Sequence, residues 1–268
     1  MADLQIRRLT LADKPVADAL LCRAFAGINP GGMVEREVAL APETCWLACL
    51  DGVAIGLVCA IQYDQISYIG PMAVSPDHQG KGIGRALLEW LIDGLERRGS
   101  TTMLLDATEA GEPLYRKFGF REIAHTFEMG RHAGLGITQL PGLGLFDQAA
   151  RMDCDWFGAN RERMLRRLLE DEGAALYHAD GGYLISQTKV LGPFAALEPG
   201  IGAELLDRAL AAGAVASRVL APVENRAAER LLTSRGFQVQ REVKHMRRGS
   251  LIELRRDLMY GLASFALG

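Results

Sequence analysis

The sequence lacks the cysteine pattern of a disulfide framework or of a metal site. Its five cysteines are an odd number, no C-x-x-C pair occurs, and most stand among apolar residues. This pattern predicts reduced, buried thiols in a cytoplasmic protein. No pair of cysteines or histidines falls at the spacing of metal ligands, so we predict no metal.

An excess of charge and a long apolar run are also missing. The formal net charge is −3, and basic residues are scattered among acidic ones, which predicts neither nucleic acid nor a membrane as partner. The longest weakly charged stretch, 45–61, is broken by the hairpin-turn pair Asp51-Gly52 and is shorter than the ~20 apolar residues of a membrane span. Residues 1–15 show no apolar core of a signal peptide. We expect a soluble, cytoplasmic protein of unknown oligomeric state.

What the sequence does contain is an orderly series of strand and helix patterns. Apolar residues recur at helical spacing from Ile83 to Leu95 and indicate a helix of about four turns. Turn formers separate the apolar runs that predict strands. The predicted order is strand 44–50, strand 53–63, strand 66–74, the helix from 83, strand 101–106, helix 112–118 and strand 120–129.

The second half of the chain repeats the first in weaker form. Gly70-Pro71-Met72-Ala73 corresponds to Gly192-Pro193-Phe194-Ala195, and Gly119-Phe120 corresponds to Gly236-Phe237. Several matches in the same order predict two copies of one domain. We place the boundary in the glycine-rich stretch 130–144, which gives domains at 1–133 and 134–268.

Three glycines, at 80, 82 and 84, stand at the start of the helix from Ile83. Glycine lets a ligand approach the backbone, and a helix start offers unpaired N–H groups to a phosphate. The alternative is a loop that needs glycine only for its turn. A Walker A loop is excluded because Lys81 precedes the second glycine, and a dinucleotide fingerprint because Arg85 replaces its last glycine.

Residues 79–84 match Q/R-x-x-G-x-G/A and resemble the coenzyme A pyrophosphate loop of the GNAT acyltransferase superfamily. The resemblance extends through SYIGPMAVSPDHQGKGIGRALLEWL and PLYRKFGF and covers the first domain nearly end to end. With its second copy, the chain resembles bacterial tandem GNAT proteins whose second domain is degenerate. The resemblance implies an α/β (α+β) fold of two GNAT-like domains, each a mixed, mostly antiparallel sheet flanked by helices. It also implies acetyl-CoA as co-substrate.

The resemblance assigns roles to individual positions. A general acid that protonates the leaving thiolate is implied at Tyr115, whose ordinary pKa of about 10 keeps it protonated; the alternative is a tyrosine that only packs. Backbone groups are implied to pair with pantetheine, and loop amides to hold the pyrophosphate. The implied cofactor-binding residues are Met72, Ala73, Val74, Gln79, Gly80, Lys81, Gly82, Ile83, Gly84 and Arg85.

The group that takes the proton of the acceptor amine is harder to predict. Superfamily members place a glutamate eleven residues before the loop Q/R, where this chain has Tyr68. Asp106, Glu109 and Glu112 are candidate bases, with solvated or capping acids as the alternative. No histidine shows a partner pattern, and none is predicted to be catalytic. From position alone, the acceptor site is predicted to include Phe25, Asn29, Tyr68, Asp106 and Trp156.

The second copy has lost the parts that the chemistry needs. Leu197 stands in place of the loop Gln or Arg, and Leu232 in place of Tyr115. We therefore predict one working site, which moves an acetyl group to a primary amine of a small molecule by direct attack in a ternary complex. The alternatives are a protein lysine or N-terminal acetyltransferase, and a coenzyme A-binding regulator without turnover.

Overall fold

The protein is described by a computed structural model that covers residues 4–25, 32–131, 145–214 and 218–268. The strands are β1 Leu4–Arg8, β2 Trp46–Leu50, β3 Val53–Tyr63, β4 Ile66–Val74, β5 Thr102–Ala107, β6 Arg121–Gly130, β7 Ala175–Ala179, β8 Gly182–Ser186, β9 Leu191–Ala196, β10 Arg218–Pro222, β11 Gln238–Gly249 and β12 Met259–Gly261. The helices are α1 Lys14–Ala24, α2 Met33–Leu40, α3 Ile83–Arg97, α4 Glu112–Lys117, α5 Phe146–Phe157, α6 Glu162–Leu169, α7 Pro199–Ala211 and α8 Arg226–Ser234. None of the described helices combines the length and the apolar character needed to cross a membrane.

The first half builds a sheet with helices on both faces. Strands β1 to β4 are antiparallel neighbours in chain order, and β4 then pairs in parallel with β5. The central strand β3 is buried from Ile55 to Ile61, because α3 covers one of its faces and α1 with α2 the other. Leu87, Leu91 and Leu95 of α3 are completely buried, as their helical spacing predicts.

The two halves share one sheet. Its order is β1-β2-β3-β4-β5-β11-β6-β10, so β11 of the second half lies between β5 and β6 of the first. In the same way β6 lies between β11 and β10 of the second half. Strand β5 of the first half thus has β11 of the second half as its antiparallel neighbour, and β10 of the second half has β6 of the first. The sheets predicted for the two domains are therefore joined by strand exchange, and no local pattern in the sequence encodes this.

The second half repeats the architecture with fewer strands. Strands β7, β8 and β9 form an antiparallel meander that corresponds to β2, β3 and β4, and α7 and α8 correspond to α3 and α4. Gly70 and Gly192 occupy the same place in β4 and β9 and share positive φ angles of 157° and 156°. The predicted boundary between 133 and 134 lies outside the described residues.

Candidate active site

The candidate site begins where β4 and β5 diverge. Tyr68 pairs with Leu104, and this is the last pair between the two strands. Beyond it, Met72, Ala73 and Val74 pair with β3 on one side only. The side chain of Asp106 is fully buried although the residue is partly exposed, so its exposed surface belongs to the main chain. Within the described residues this leaves a cleft with strand edges on both walls, where an extended chain can add by backbone hydrogen bonds.

The glycine loop lies at the open end of this cleft. Gly80 and Gly82 adopt left-handed φ angles of 72° and 85°, and Gly82 is the N-cap of α3. An added Cβ at either position would meet no atom within 4 Å, so the loop surface there is open. The first amide of the helix to be paired is that of Ala86, which donates to the Gly82 carbonyl at 3.0 Å. The preceding amides lack intrahelical acceptors, as in an anion site.

Side chains of the loop brace it from outside. Gln79 Nε2 donates to the Val74 carbonyl at 3.1 Å, and Lys81 Nζ donates to the Asp77 carbonyl at 2.8 Å. Ile83 is buried and anchors α3 in the core, so only its amide faces the loop. An added Cβ at Gly84 would lie 3.4 Å from both Leu114 and Met72, so glycine there lets α3, α4 and β4 converge. All ten predicted cofactor-binding residues thus border the cleft or its loop; their role stays a prediction.

Tyr115 of α4 reaches β4. Its hydroxyl donates to Met72 Sδ at 3.6 Å, and its ring packs edge-on against Phe120 at 5.8 Å between centroids. Burial raises the pKa of Tyr115 to about 12, so the hydroxyl is a proton donor at neutral pH. The structure therefore brings the predicted acid to the predicted cofactor strand. The ring of Tyr115 also packs, as the alternative interpretation expected, and the catalytic role of Tyr115 stays a prediction.

A buried polar group occupies the opposite face of the sheet at the apex of the cleft. Tyr68 donates to Asp106, and Thr126 Oγ1 donates to Asp106 Oδ1 at 3.0 Å. His245 Nδ1 lies 3.3 Å from Asp106 Oδ1, and Arg256 Nη2 donates to Thr126 Oγ1 at 3.1 Å. We call these five residues the junction cluster, because three belong to the first half and two to the second.

Charge and burial fix the protonation states in the junction cluster. Burial acts to raise the pKa of Asp106, but His245, Arg256 and Tyr68 lower it below its usual value, so the carboxylate is ionised. Burial raises the pKa of Tyr68 well above its usual value, and the charge of Asp106 adds to this. Burial, assisted by the charge of Arg256, lowers the pKa of His245, which leaves the imidazole neutral at neutral pH.

The structure separates the residues predicted for the acceptor site. Tyr68 and Asp106 are in contact, and Trp156 belongs to the same buried core as Tyr68, stacked on Tyr183 at 6.2 Å. Phe25 packs instead against the core beneath α1, and Asn29 lies outside the described residues.

The three acidic candidates for the base also differ in their surroundings. The alternative of a solvated or capping acid is wrong for Asp106, whose side chain is 0% exposed. Glu112 pairs with Arg116 at 2.6 Å and with Lys244 at 2.8 Å, and Glu109 is exposed.

Sequence reasoning missed His245 and Arg256. His245 is 139 positions from Asp106 and meets it only because β11 pairs with β5, with His245 directly opposite Asp106. The pairing of two strands so far apart in the chain cannot be read from a short motif.

Comparison with known proteins agrees with this geometry. A model of the acetyltransferase (GNAT) family matches residues 17–120, and a second model, of an acetyltransferase (GNAT) domain, matches residues 149–261. The chain belongs to the GNAT superfamily. Its tandem organisation and its classification as an N-acetyltransferase are thereby confirmed.

Individual relatives cover very different shares of this GNAT protein. A putative acetyltransferase from Pyrococcus horikoshii has a similar structure over 99% of this chain and 96% of its own, with a TM-score of 0.89 and 26% identity. The uncharacterized N-acetyltransferase YitH of Bacillus subtilis is 24% identical over 235 residues, 82% of this chain and 83% of YitH. The [ribosomal protein bS18]-alanine N-acetyltransferase of Escherichia coli K12 is 50% identical over 54 residues, 19% of this chain. The chain therefore spans only 36% of the length of that curated relative.

The second GNAT domain has its own cleft filled. Strand β12 pairs with β9 on one side, and Leu262, which follows it, donates to the Leu220 carbonyl of β10 at 2.9 Å on the other. This is the position that corresponds to the gap between β4 and β5. Helix α7 begins at Pro199, which has no N–H, and the Tyr260 ring is 2.8 Å from where a Cβ of Gly202 would lie. The chain itself thus fills the gap that stays open in the first domain.

Proposed function

We propose that the protein transfers the acetyl group of acetyl-CoA to a primary amine of a small molecule, by direct attack in a ternary complex. Membership of the GNAT superfamily supplies the reaction, and the acceptor class is the part proposed here. The main observation in its support is that the end of the second domain covers the face of the first domain from which an acceptor must approach.

The direction of that approach follows from the positions of the helices. Helices α3 and α4 close one face of the first domain, and Tyr115 lies on that side of the cleft. An acceptor must therefore come from the opposite face, above Tyr68. There, an added Cβ at Gly70 would lie 3.0 Å from Ala266, and one at Gly268 would lie 2.7 Å from the Tyr68 ring. The end of the second domain thus encloses this face, which favours a small acceptor over a polypeptide that needs an open groove.

Acetyl-CoA would be held mainly by main chain. The cleft edge from Met72 to Val74 offers backbone groups to the pantetheine amides, and the amides from Gln79 to Arg85 face the pyrophosphate. The open space at Gly80 and Gly82 admits such a group. Because main-chain groups do this work, the identity of the glycines matters more than that of the neighbouring side chains.

The leaving sulfur needs a proton, and the Tyr115 hydroxyl is the proposed donor. When the amine attacks the thioester carbonyl, the carbon–sulfur bond breaks and leaves a thiolate. Tyr115, beside Met72, donates its hydroxyl proton to that sulfur. General acid assistance of this kind contributes about 10²- to 10⁴-fold to the rate.

One observation favours a second candidate, a protein N-terminus as acceptor. The E. coli relative, 50% identical over 54 residues, is named for acetylating the alanine of a ribosomal protein. That similarity covers only 19% of the chain and 36% of the relative, which is too little to carry its acceptor over to this chain.

A panel of acceptors separates the two candidates. Thiol release from acetyl-CoA is followed with free amines, amino sugars and amino acids, and in parallel with peptides that carry a free N-terminus or lysine. We expect release with free amines and none above background with peptides. Acetylation of peptides but of no free amine would overturn the proposed acceptor class.

A further inference from the structure

The junction cluster contains a pair that the transfer chemistry described so far does not use. A carboxylate can only accept hydrogen bonds, so the His245 nitrogen that faces Asp106 must carry the proton. The neutral imidazole then has its lone pair on Nε2. This atom is buried and has no hydrogen-bond partner among the described residues.

An unpartnered acceptor in such a place is costly to maintain. Leaving a buried polar atom without a hydrogen bond destabilises the folded state, and His245 is only 1% exposed. Its ring lies 6.1 Å from the ring of Tyr68, which marks the apex of the cleft. The main chain of its partner Asp106 borders the cleft directly. His245 thus lies next to the two residues that mark the apex of the cleft, where the thioester and the amine must meet.

We propose that Asp106 and His245 act as a dyad, in which His245 Nε2 takes the proton from the acceptor nitrogen as that nitrogen attacks the thioester. The second domain thereby contributes a catalytic residue to the first, and Asp106 is its positioning residue. This role rests on the proposed acetyl transfer and supplies the base that Tyr68 does not.

The proton balance is complete with the groups at hand. As the nitrogen–carbon bond forms, the nitrogen becomes positively charged and acidic, and its proton moves to His245 Nε2. The imidazolium is compensated by the Asp106 carboxylate. The carbon–sulfur electron pair leaves with sulfur, which takes its proton from Tyr115. Solvent then removes the proton from His245 and restores that of Tyr115.

The surroundings of the dyad keep it in the working protonation state. The charged and titratable groups that face His245 are Asp106, Arg256, Glu224 and the Tyr68 hydroxyl. Arg256 opposes protonation of His245 in the resting state. We therefore expect the rate of the wild type to fall on the acid side only below the ordinary pKa of histidine, about 6.5, where His245 becomes protonated.

The test compares His245→Gln with the wild type in kcat, in its pH profile and in slow acetyl-CoA hydrolysis. Glutamine can still donate to Asp106 but cannot act as a base. We expect kcat with an amine to fall ~10²- to 10⁴-fold, the KM for acetyl-CoA to stay within about threefold, and the acid limb to disappear. His178→Gln, on β7 of the second half, is the matched control and should keep wild-type kcat.

A spectroscopic readout accompanies the kinetics. In ¹⁵N NMR, wild-type His245 should show the Nδ1–H tautomer across pH 6.5–9, and Asp106→Asn should change this tautomer while it lowers kcat. Retention of kcat by His245→Gln, or an Nε2–H tautomer in the wild type, would overturn the dyad.

Failure of the proposed function is distinguishable from failure of the dyad. If no amine is acetylated, water is the remaining acceptor, and loss of acetyl-CoA hydrolysis in His245→Gln still supports the dyad. Unchanged hydrolysis in that variant counts against it.

Discussion

At the scale of single residues, burial decides which groups can carry protons. Tyr68 is buried and Tyr115 is partly buried, yet only Tyr115 donates to Met72, one of the predicted cofactor-binding residues, and only Tyr68 donates to a carboxylate. The same burial that keeps Tyr115 protonated makes Tyr68 unable to act as the base. The residue type alone therefore does not fix the role.

Replacing Tyr115 by phenylalanine removes one proton donor and little volume. We expect kcat to fall ~10²-fold or more while the KM for acetyl-CoA changes little, because the loop amides are untouched. With the pKa of Tyr115 near 12, the wild type should show no loss of rate from this group up to about pH 10. Steady-state kinetics over pH check this, with Tyr177→Phe of β7 as control. An unchanged kcat in Tyr115→Phe would assign the ring to packing only.

Glu37 of α2 offers a prediction about stability. It is 0% exposed, both carboxylate oxygens lack a hydrogen-bond partner in the described structure, and burial raises its pKa well above the usual value. The folded state then binds this proton more tightly than the unfolded state does. Stability from this group is therefore present below the unfolded pKa of about 4.5 and is lost as the pH rises toward the folded pKa.

Glu37→Gln should consequently stabilise the protein at pH 8 and change little at pH 4. Thermal unfolding at the two pH values measures this, with the exposed Glu109→Gln as control. A Glu37→Gln variant that is less stable than the wild type at pH 8 would show that the ionised carboxylate has a partner in solution.

At the scale of elements, local sequence patterns predicted the helices and strands, but not how the strands of the two halves pair. The run from Ile83 to Leu95 indicated α3, and the glycines before it were visible in the sequence, whereas Tyr115 was implied by the resemblance to the GNAT superfamily. The exchange of β6 and β11 could not be found in this way, because a strand's own alternation does not name its neighbour. His245 was missed for that reason: its partner Asp106 is defined by register between two distant strands.

The docking of β12 can be tested at a glycine. A Cβ at Gly192 would lie 2.1 Å from the Leu262 carbonyl oxygen, and its φ of 156° also disfavours a side chain. Gly192→Ala should therefore displace the end of β12 and cost ~1–3 kcal/mol of unfolding free energy. Gly200→Ala on α7 meets no atom within 4 Å and should be neutral or stabilising, since alanine is the better helix former. Equal stabilities in denaturant titrations would contradict the close approach of β12.

At the scale of the whole molecule, the two copies of the fold differ in whether their cleft is open. The first keeps an open cleft with a glycine loop, whereas the second fills the same cleft with β12 and closes its helix start with Tyr260. Strand exchange brings the second copy to the candidate site of the first, since β11 places His245 opposite Asp106. In the proposed function the second copy serves as a wall of the acceptor site, and in the proposed dyad it supplies the base.

The most direct measurement of this account is the stoichiometry of coenzyme A binding by titration calorimetry, in the wild type and in two matched variants. We expect one site per chain. Gly82→Asp should lose it, because its negative charge and side chain enter the proposed pyrophosphate loop. Gly200→Asp, in the first turn of α7 in the second domain, should bind as the wild type does. Two sites per chain, or undiminished binding by Gly82→Asp, would contradict it.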